Sequence, residues 1–184
     1  MSKHFELQRV VLALVLACLA AKGPDDRARV AKPSEGLAMT RALACESIKG
    51  YQDYVPRPEA ALTKDEKLLV YYEPLNYAIE QDKTGMYRAH FSQDARIRKR
   101  GAKIVLWKKD NLLDYEVKGN GPPRKLCLMN TIALKALSPG EYDLDIVLHD
   151  RLGDGPPVTQ TLKITIKPSP VEAPLPPSDE PGNR

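Results

Sequence analysis

The clearest pattern in the chain is an alternation of apolar and polar residues in two segments near its C-terminal end. Residues 142–148 read YDLDIVL and residues 158–166 read VTQTLKITI. Because neighbouring side chains of a strand point to opposite faces, each segment has one mainly apolar face and one polar face. Residues 150–157 (DRLGDGPP) lie between them and are rich in turn formers. The two segments are therefore predicted to form an antiparallel hairpin with one buried face.

The register of this hairpin can be proposed by placing buried positions opposite buried positions. That choice pairs Ile146 with Leu162, Leu144 with Ile164, Tyr142 with Ile166, Asp145 with Lys163 and Glu141 with Lys167. A slip by one residue would bury two aspartates, which is unfavourable. Asp143 and Asp145 are accordingly interpreted as solvated partners of lysines and not as a catalytic carboxylate pair.

Several segments upstream also have the length and composition of strands, with Gly and Pro residues in the connections. They cover residues 42–55, 67–73, 87–93, 96–98, 103–107 and 125–134. About seven to nine short strands, without a strong amphipathic helix or a parallel α/β pattern, favour an all-β fold. The predicted architecture is a two-layer antiparallel β-sandwich.

The ends of the chain have a different composition from this central part. The length of 184 residues suits one folded domain. Residues 10–21 are an apolar run too short to span a bilayer, so 1–21 is interpreted as a signal peptide. Residues 22–41 are interpreted as a polar linker, and 168–184, with six prolines, as a Pro-rich disordered tail. The β-sandwich domain is placed at 42–167.

Cys18 decides how the N-terminal segment is processed. Cleavage after the small residues Ala20 or Ala21 would remove Cys18 and release the protein into the periplasm or the medium. Alternatively, residues 15–18 (VLAC) resemble a bacterial lipobox, in which Cys18 is a candidate lipidation site. A retained structural helix is the third interpretation. Each of the first two makes the protein an exported one.

The composition of the chain limits the functions that it can have. A formal net charge of +4 with only 3 His and 3 Cys describes a mildly basic protein with little material for a metal site. The most basic segment is a candidate polyanion-binding hairpin with seven cations within 14 residues: Arg96, Arg98, Lys99, Arg100, Lys103, Lys108 and Lys109. The alternative is a solvated hairpin end whose charges discourage edge pairing. Because export is expected, nucleic acid is not an expected partner.

Residues 137–148 (LSPGEYDLDIVL) are similar to a loop-and-strand signature of fibronectin type III and immunoglobulin-like domains, in which a Pro-Gly turn precedes a core Tyr. By this resemblance Tyr142 would form a tyrosine corner, with its ring buried and its hydroxyl bonded to backbone upstream. More of the chain resembles a group of uncharacterised exported bacterial β-sandwich proteins. That resemblance spans about 43–167 and includes the segments 68–76, 85–87 and 137–142. It implies an Ig-like or FnIII-like fold and export, and no activity.

The other two cysteines, Cys45 and Cys127, are candidates for a disulfide, because an exported domain meets an oxidising compartment. Two buried free thiols are the alternative. Neither residue has the sequence neighbours of a catalytic thiolate or belongs to a C-x-x-C pair.

No catalytic or metal-binding constellation is recognisable in the sequence. There is no H-E-x-x-H, no G-x-S-x-G, no phosphate-binding Gly-rich loop and no calcium-loop spacing. His149 precedes Asp150, but adjacent strand residues face opposite ways, so His149 is interpreted as a surface residue. An enzyme would need His90 or His149 beside a carboxylate in a pocket. No catalytic residue, metal ligand or cofactor is therefore assigned.

Aromatic residues offer one more candidate surface. Tyr51, Tyr54, Tyr77 and Trp107 are of the kind that stacks on sugar rings when exposed, although in a small domain they are more often core. The expected function is an exported, non-catalytic interaction or structural module of the cell envelope. Its partner would be an envelope protein or polysaccharide, and a lipid at Cys18 would be its contact with the membrane. The alternative is an extracytoplasmic binder of an anionic or carbohydrate ligand through the basic hairpin 96–109 or the Tyr/Trp surface.

Overall fold

The structure is a computed structural model that describes residues 28–31 and 35–169. These residues form thirteen strands and no helix. The strands are β1 (Ala28–Ala31), β2 (Ala38–Met39), β3 (Leu43–Gly50), β4 (Asp53–Pro56), β5 (Ala61–Thr63), β6 (Lys67–Tyr72), β7 (Pro74–Leu75), β8 (Ile79–Gln81), β9 (Tyr87–Lys99), β10 (Val105–Gly119), β11 (Leu128–Ala133), β12 (Gly140–Asp150) and β13 (Val158–Lys167). The prediction of an all-β fold is confirmed.

The strands are arranged in two larger sheets and one short pair. The seven-stranded sheet contains the antiparallel pairs β10 with β9, β9 with β12, and β12 with β13, and the parallel pair β13 with β5. Strand β8 pairs with the beginning of β9 and carries β1. The four-stranded sheet has the order β11-β6-β3-β4, and β2 pairs with β7. Strand β10 therefore has only one neighbour among the described strands.

Both larger sheets contribute side chains to one hydrophobic core. Strand β12 turns Leu144, Ile146 and Leu148 inward, and β6 of the other sheet contributes Leu68 and Val70 to the same cluster. The inward side chains of β12 follow the period-two pattern, and Asp143 and Val147 on its outer face are also buried. Burying each inward apolar side chain stabilises the fold by about 1.5–3 kcal/mol.

A buried polar cluster also connects the two sheets. The Gln93 side chain on β9 is fully buried, and its Oε1 accepts hydrogen bonds from the Tyr72 hydroxyl on β6 and from Asn130 Nδ2 on β11, both at 2.5 Å. Its Nε2 has no partner among the described residues. Burial raises the pKa of Tyr72, so its hydroxyl stays a donor. A polar group this deep specifies the alignment of the sheets, because any shift would leave several buried groups unpaired.

Strands β12 and β13 form the predicted antiparallel hairpin, but the register of their pairing differs from the prediction. Tyr142 lies opposite Ile164 and Leu144 opposite Leu162, two residues away from the predicted pairs. The inward and outward faces are kept, because a shift of two residues preserves the parity of a strand. The predicted register was wrong because it assumed that apolar residues oppose each other throughout. Gln160 instead lies opposite Ile146. Its side chain donates a hydrogen bond to the Met39 carbonyl and accepts one from the Ala42 N–H.

The predicted charge pairs of this hairpin change with the register. Lys163 lies opposite Asp143, and Asp145 lies opposite Thr161. Neither aspartate is a solvated partner of a lysine. Both are directed towards Arg98 on β9, with Asp145 in close contact with its guanidinium.

Strands β9 and β10 are longer than the sequence predicts. Residues 87–93 and 96–98 belong to one continuous strand, and the segment predicted as 103–107 continues to Gly119. Residues 108–119 lack a clear period, and the pairing of β10 is interrupted within them between Lys109 and Leu113. The segment 22–41, predicted to be a linker, contributes β1 and β2 to the sheets. The predicted signal peptide lies outside the described residues, as does most of the Pro-rich tail.

The buried cluster predicts a specific cost of substitution. Replacing Gln93→Leu leaves the Tyr72 hydroxyl and the Asn130 amide without their acceptor, which we expect to lower the free energy of unfolding by about 2–4 kcal/mol. Urea unfolding followed by fluorescence measures this difference. The control is the triple variant Tyr72→Phe, Gln93→Leu, Asn130→Leu, which removes the whole network and should recover part of the loss. A single variant as stable as the unmodified chain would contradict the role of the cluster.

Candidate functional site

The end of the hairpin formed by β9 and β10 holds five of the seven cations of the predicted polyanion-binding segment. We call residues 99–109 the hairpin end. The turn closes with a hydrogen bond from the Ala102 N–H to the Lys99 carbonyl at 2.9 Å. Gly101 adopts a φ of 71°, a conformation that glycine reaches without a steric penalty. The turn thus reverses the chain tightly before the exposed start of β10.

This turn is held to the neighbouring strand by several hydrogen bonds. The Arg98 guanidinium donates to the Ala102 carbonyl at 2.7 Å, and the Gly101 N–H donates to Asp143 Oδ2 at 3.1 Å. The Arg100 N–H donates to the carbonyl of Glu141 at 3.1 Å. Strand β12 therefore fixes the position of the hairpin end.

The seven predicted cations divide into paired and unpaired groups. Arg98 contacts Asp145 with two hydrogen bonds at 2.7 and 3.0 Å, and Arg100 pairs with Glu141 at 2.7 Å. Lys108 pairs with Asp110, and Arg96 is half-buried on the outer face of β9.

The exposed cations without an ion pair among the described residues are Lys99, Lys103 and Lys109. The basic hairpin thus presents fewer free charges than its sequence predicts.

Three exposed apolar side chains lie between these cations. The exposed fractions are 75% for Ile104, 41% for Val105 and 52% for Leu106. The apolar run within 103–107 predicted an ordinary strand segment, and its exposure is not apparent from the sequence. A run of apolar residues predicts burial on both faces, but here the strand is at the edge of its sheet and at the end of a hairpin. Trp107, the next residue, is half-buried and packs against the core.

Three of the four residues of the predicted Tyr/Trp surface, Tyr54, Tyr77 and Trp107, pack against other side chains. Tyr54 stacks on Tyr71 of the four-stranded sheet with ring centroids 4.2 Å apart. Tyr77 packs edge-to-face on Phe91 at 5.1 Å, and its hydroxyl donates to a backbone carbonyl. Trp107 is on β10 of the seven-stranded sheet, whereas Tyr54 is on β4 of the four-stranded sheet. Tyr51 is partly exposed and lines a recess with Leu113 and Tyr115.

Two His–Asp pairs lie on the outer face of the seven-stranded sheet. His149 Nε2 is 3.0 Å from Asp94 Oδ2, and His90 Nε2 is 2.6 Å from Asp114 Oδ1. The strand geometry predicts that His149 and Asp150 point to opposite faces, and they do not contact each other in the structure. However, the interpretation of His149 as a plain surface residue misses its partner on the neighbouring strand. Sequence separations of 55 and 24 residues hide both pairs from local pattern analysis.

Asp94 joins three strands at this position. Its Oδ1 accepts a hydrogen bond from the N–H of Asn111, which has a φ of 50° in the irregular part of β10. Burial opposes ionisation of Asp94, but the hydrogen bonds from Asn111 and His149 outweigh it and lower its pKa. Asp94 thus holds the irregularity of β10 and the end of β12 against β9.

A recess lies beside these two His–Asp pairs. It has a volume of about 350 Å³, is open to solvent and is lined by Ser92, Asp94, Asp110, Asn111, Asp114, His149 and Arg151. Ser92 is the potential nucleophile, but in the described part of the chain its hydroxyl forms no hydrogen bond with either His. Each His–Asp pair is a contact between neighbouring strands, β9 with β12 for His149 and β9 with β10 for His90.

The two remaining cysteines are free thiols, so the candidate disulfide is not formed. Cys45 lies opposite Leu69 on β6, whereas Cys127 directly precedes the residue opposite Tyr72 on the other side of β6. At about 3.4 Å per residue and 4.8 Å per strand, their Cα atoms are about 16 Å apart. A disulfide needs Cα atoms within about 7 Å. Burial raises the pKa of both thiols, which also disfavours a reactive thiolate.

The other assigned residues are Tyr142 and Cys18. The Tyr142 ring is buried, and its hydroxyl donates to the carbonyl of Ser138 at 2.7 Å, four residues upstream. Cys18 lies outside the described residues. Within residues 28–31 and 35–169, no helix is long and apolar enough to cross a membrane. The same part of the chain has no group of three or more His, Cys, Asp or Glu residues suited to a metal ion.

The contact between Arg98 and Asp145 predicts a pH-dependent stability. Hydrogen bonds from Arg98 lower the pKa of Asp145 below its usual value. Its contribution is therefore complete above the unfolded pKa of about 3.9 and is lost as the pH falls through the lower folded pKa. We expect Asp145→Asn to lower the free energy of unfolding by about 1.5–3 kcal/mol at neutral pH. The difference from the unmodified chain should disappear at low pH.

The matched control is Asp110→Asn. Asp110 is exposed and pairs with the exposed Lys108, so its replacement should change stability little at any pH. Urea unfolding of both variants between pH 2 and 7 measures the two profiles. Equal effects of the two substitutions, or a pH-independent effect of Asp145→Asn, would contradict the assignment.

No protein-family model matches this chain, and a search of curated proteins also finds no match. The resemblance to fibronectin type III and immunoglobulin-like domains therefore depends on the sequence around Tyr142. Functional inference depends on the surfaces of the molecule, and the hairpin end combines exposed apolar side chains with unpaired cations.

Proposed function

We propose that this protein is an exported, non-catalytic interaction module of the cell envelope that binds its partner through the hairpin end. The observation that carries the proposal is the exposure of three consecutive apolar residues, Ile104, Val105 and Leu106, beside unpaired lysines. Contiguous apolar surface exposed to water is characteristic of interaction sites. The bonds that hold the turn to β12 support the same proposal, because a surface ordered in advance loses little entropy on binding.

The order of the strands supports an immunoglobulin-like β-sandwich. In such domains the strands A, B and E are neighbours in one sheet, and C, F and G are neighbours in the other. In chain order, β3, β6 and β11 correspond to the first set, and β9, β12 and β13 to the second. Strand β10 then corresponds to an additional strand beside C, as in variable-type domains. Tyr142 lies near the start of the F-like strand, where a tyrosine corner is expected.

Export is proposed from the apolar run at residues 10–21. The mature protein would then be periplasmic or extracellular. Lipidation at Cys18 would instead keep it attached to a membrane surface. Either location agrees with an envelope protein or polysaccharide as the partner.

A second candidate function is the binding of an anionic ligand such as an acidic polysaccharide. The observation that favours it is the group of three exposed lysines without ion pairs, Lys99, Lys103 and Lys109. The pairing of Arg98, Arg100 and Lys108 with carboxylates reduces the positive field available to such a ligand. The interaction module therefore remains the first proposal.

Site-specific photo-crosslinking in the native cells tests the proposed function. A photoreactive amino acid is placed at position 104 and, in the control chain, at position 129, where Met129 is also exposed but belongs to the four-stranded sheet. We expect covalent adducts from position 104 and few from position 129. A polysaccharide adduct would favour the second candidate. Absence of adducts at position 104, or the same adducts from both positions, would overturn the proposal.

A further inference from the structure

The apolar surface at the hairpin end differs from the other exposed apolar residues of the molecule. Val55, Leu75 and Met129 are exposed singly, on three different strands. Scattered residues of this kind are ordinary on protein surfaces. Ile104, Val105 and Leu106 are instead consecutive in the chain, directly after the turn. A partner that covers these residues therefore contacts the hairpin end and does not bind in a groove.

The charges around this end, taken together with the exposed apolar side chains, fit an anionic surface that has an apolar interior. Lys99 and Lys103 flank the turn, and Lys109 follows on β10; all three are exposed and lack an ion pair among the described residues. Long lysine stems can lie along apolar surface while their ammonium groups reach a polar layer. Apolar residues that enter a bilayer interface beside lysines that contact anionic headgroups are a known mode of membrane attachment.

The pairing of β10 disfavours the addition of a partner strand at its free edge. Val105 lies opposite Arg98 and Trp107 opposite Ile97, so Leu106 is an extra residue in the ladder. A second irregularity lies between Lys109 and Leu113. Such interruptions, together with edge charges, protect an edge strand from pairing with another chain. A protein that binds by strand addition is therefore a poorer fit than a lipid surface.

We propose that the hairpin end docks on an anionic phospholipid bilayer. Ile104, Val105 and Leu106 insert into the interface, and the unpaired lysines contact the lipid phosphates. The inference rests on the proposed function, because it names the partner of the same surface. The turn is ordered before any lipid binds. Arg98 donates a hydrogen bond to the Ala102 carbonyl, and the Gly101 N–H donates one to Asp143.

The single tryptophan provides the readout for a test. Trp107 follows the apolar group directly, so its fluorescence should be quenched by brominated phospholipids when the hairpin end docks. The full chain is titrated with vesicles of phosphatidylcholine mixed equally with phosphatidylglycerol, both brominated. We expect saturable quenching that weakens as salt is added and is absent with brominated phosphatidylcholine alone. A membrane contact elsewhere in the chain would not bring Trp107 to the lipid.

Two double variants test whether the apolar residues of the hairpin end cause the quenching of Trp107. Ile104→Ser with Leu106→Ser should raise the lipid concentration for half-maximal quenching about tenfold or more, because apolar transfer is lost. The matched control, Val55→Ser with Met129→Ser, should bind like the unmodified chain. Unchanged binding of the first variant, or no quenching of the unmodified chain by anionic vesicles, would overturn the inference. A protein adduct from position 104 in cells would also overturn it, while leaving the proposed interaction function intact.

Discussion

The register between β9 and β12 is the constraint on which the other features of this molecule depend. Strand β9 pairs with β10 along one side and with β12 and β8 along the other, so a shift of β9 would disturb three strands. On the inner face, Ile97 lies opposite Leu144 in the core. On the outer face, Arg98 contacts Asp145 with two hydrogen bonds. Apolar packing and charge pairing therefore select the same alignment, and a slip by one residue would break both.

The exposed hairpin end is a consequence of this alignment. Because β12 begins at Gly140, the final residues of β9 reach its first residues, and the turn is bound there through Asp143 and Glu141. Beyond the turn, β10 has no neighbour on its outer side in the described part of the chain. Ile104 and Leu106 are consequently held away from the core by the same contacts that keep the turn in place.

Period-two alternation was sufficient to predict the all-β fold and strands such as β12, because the inward face of β12 lies over a core and must be apolar. Strand β6 was instead predicted from its continuous apolar run, and residues on both of its faces are buried. The alternation could not predict the register of the β12–β13 hairpin, which depends on Gln160 binding to distant backbone groups. The partners of His149 and His90 are also invisible to local patterns, since they lie on other strands. The exposure of Ile104 depends on the position of β10 at a sheet edge, and apolar composition alone indicates the opposite.

The central claim is that the hairpin end is a rigid surface fixed by β12 before any partner binds. Hydrogen exchange of individual amides in the free full chain, followed by NMR, tests this claim most directly. The N–H groups of Arg100, Gly101 and Ala102 all donate hydrogen bonds, so they should exchange much more slowly than the amide of Gly155 in the loop 151–157. Exchange of the three turn amides at the rate of an unstructured peptide would contradict the claim.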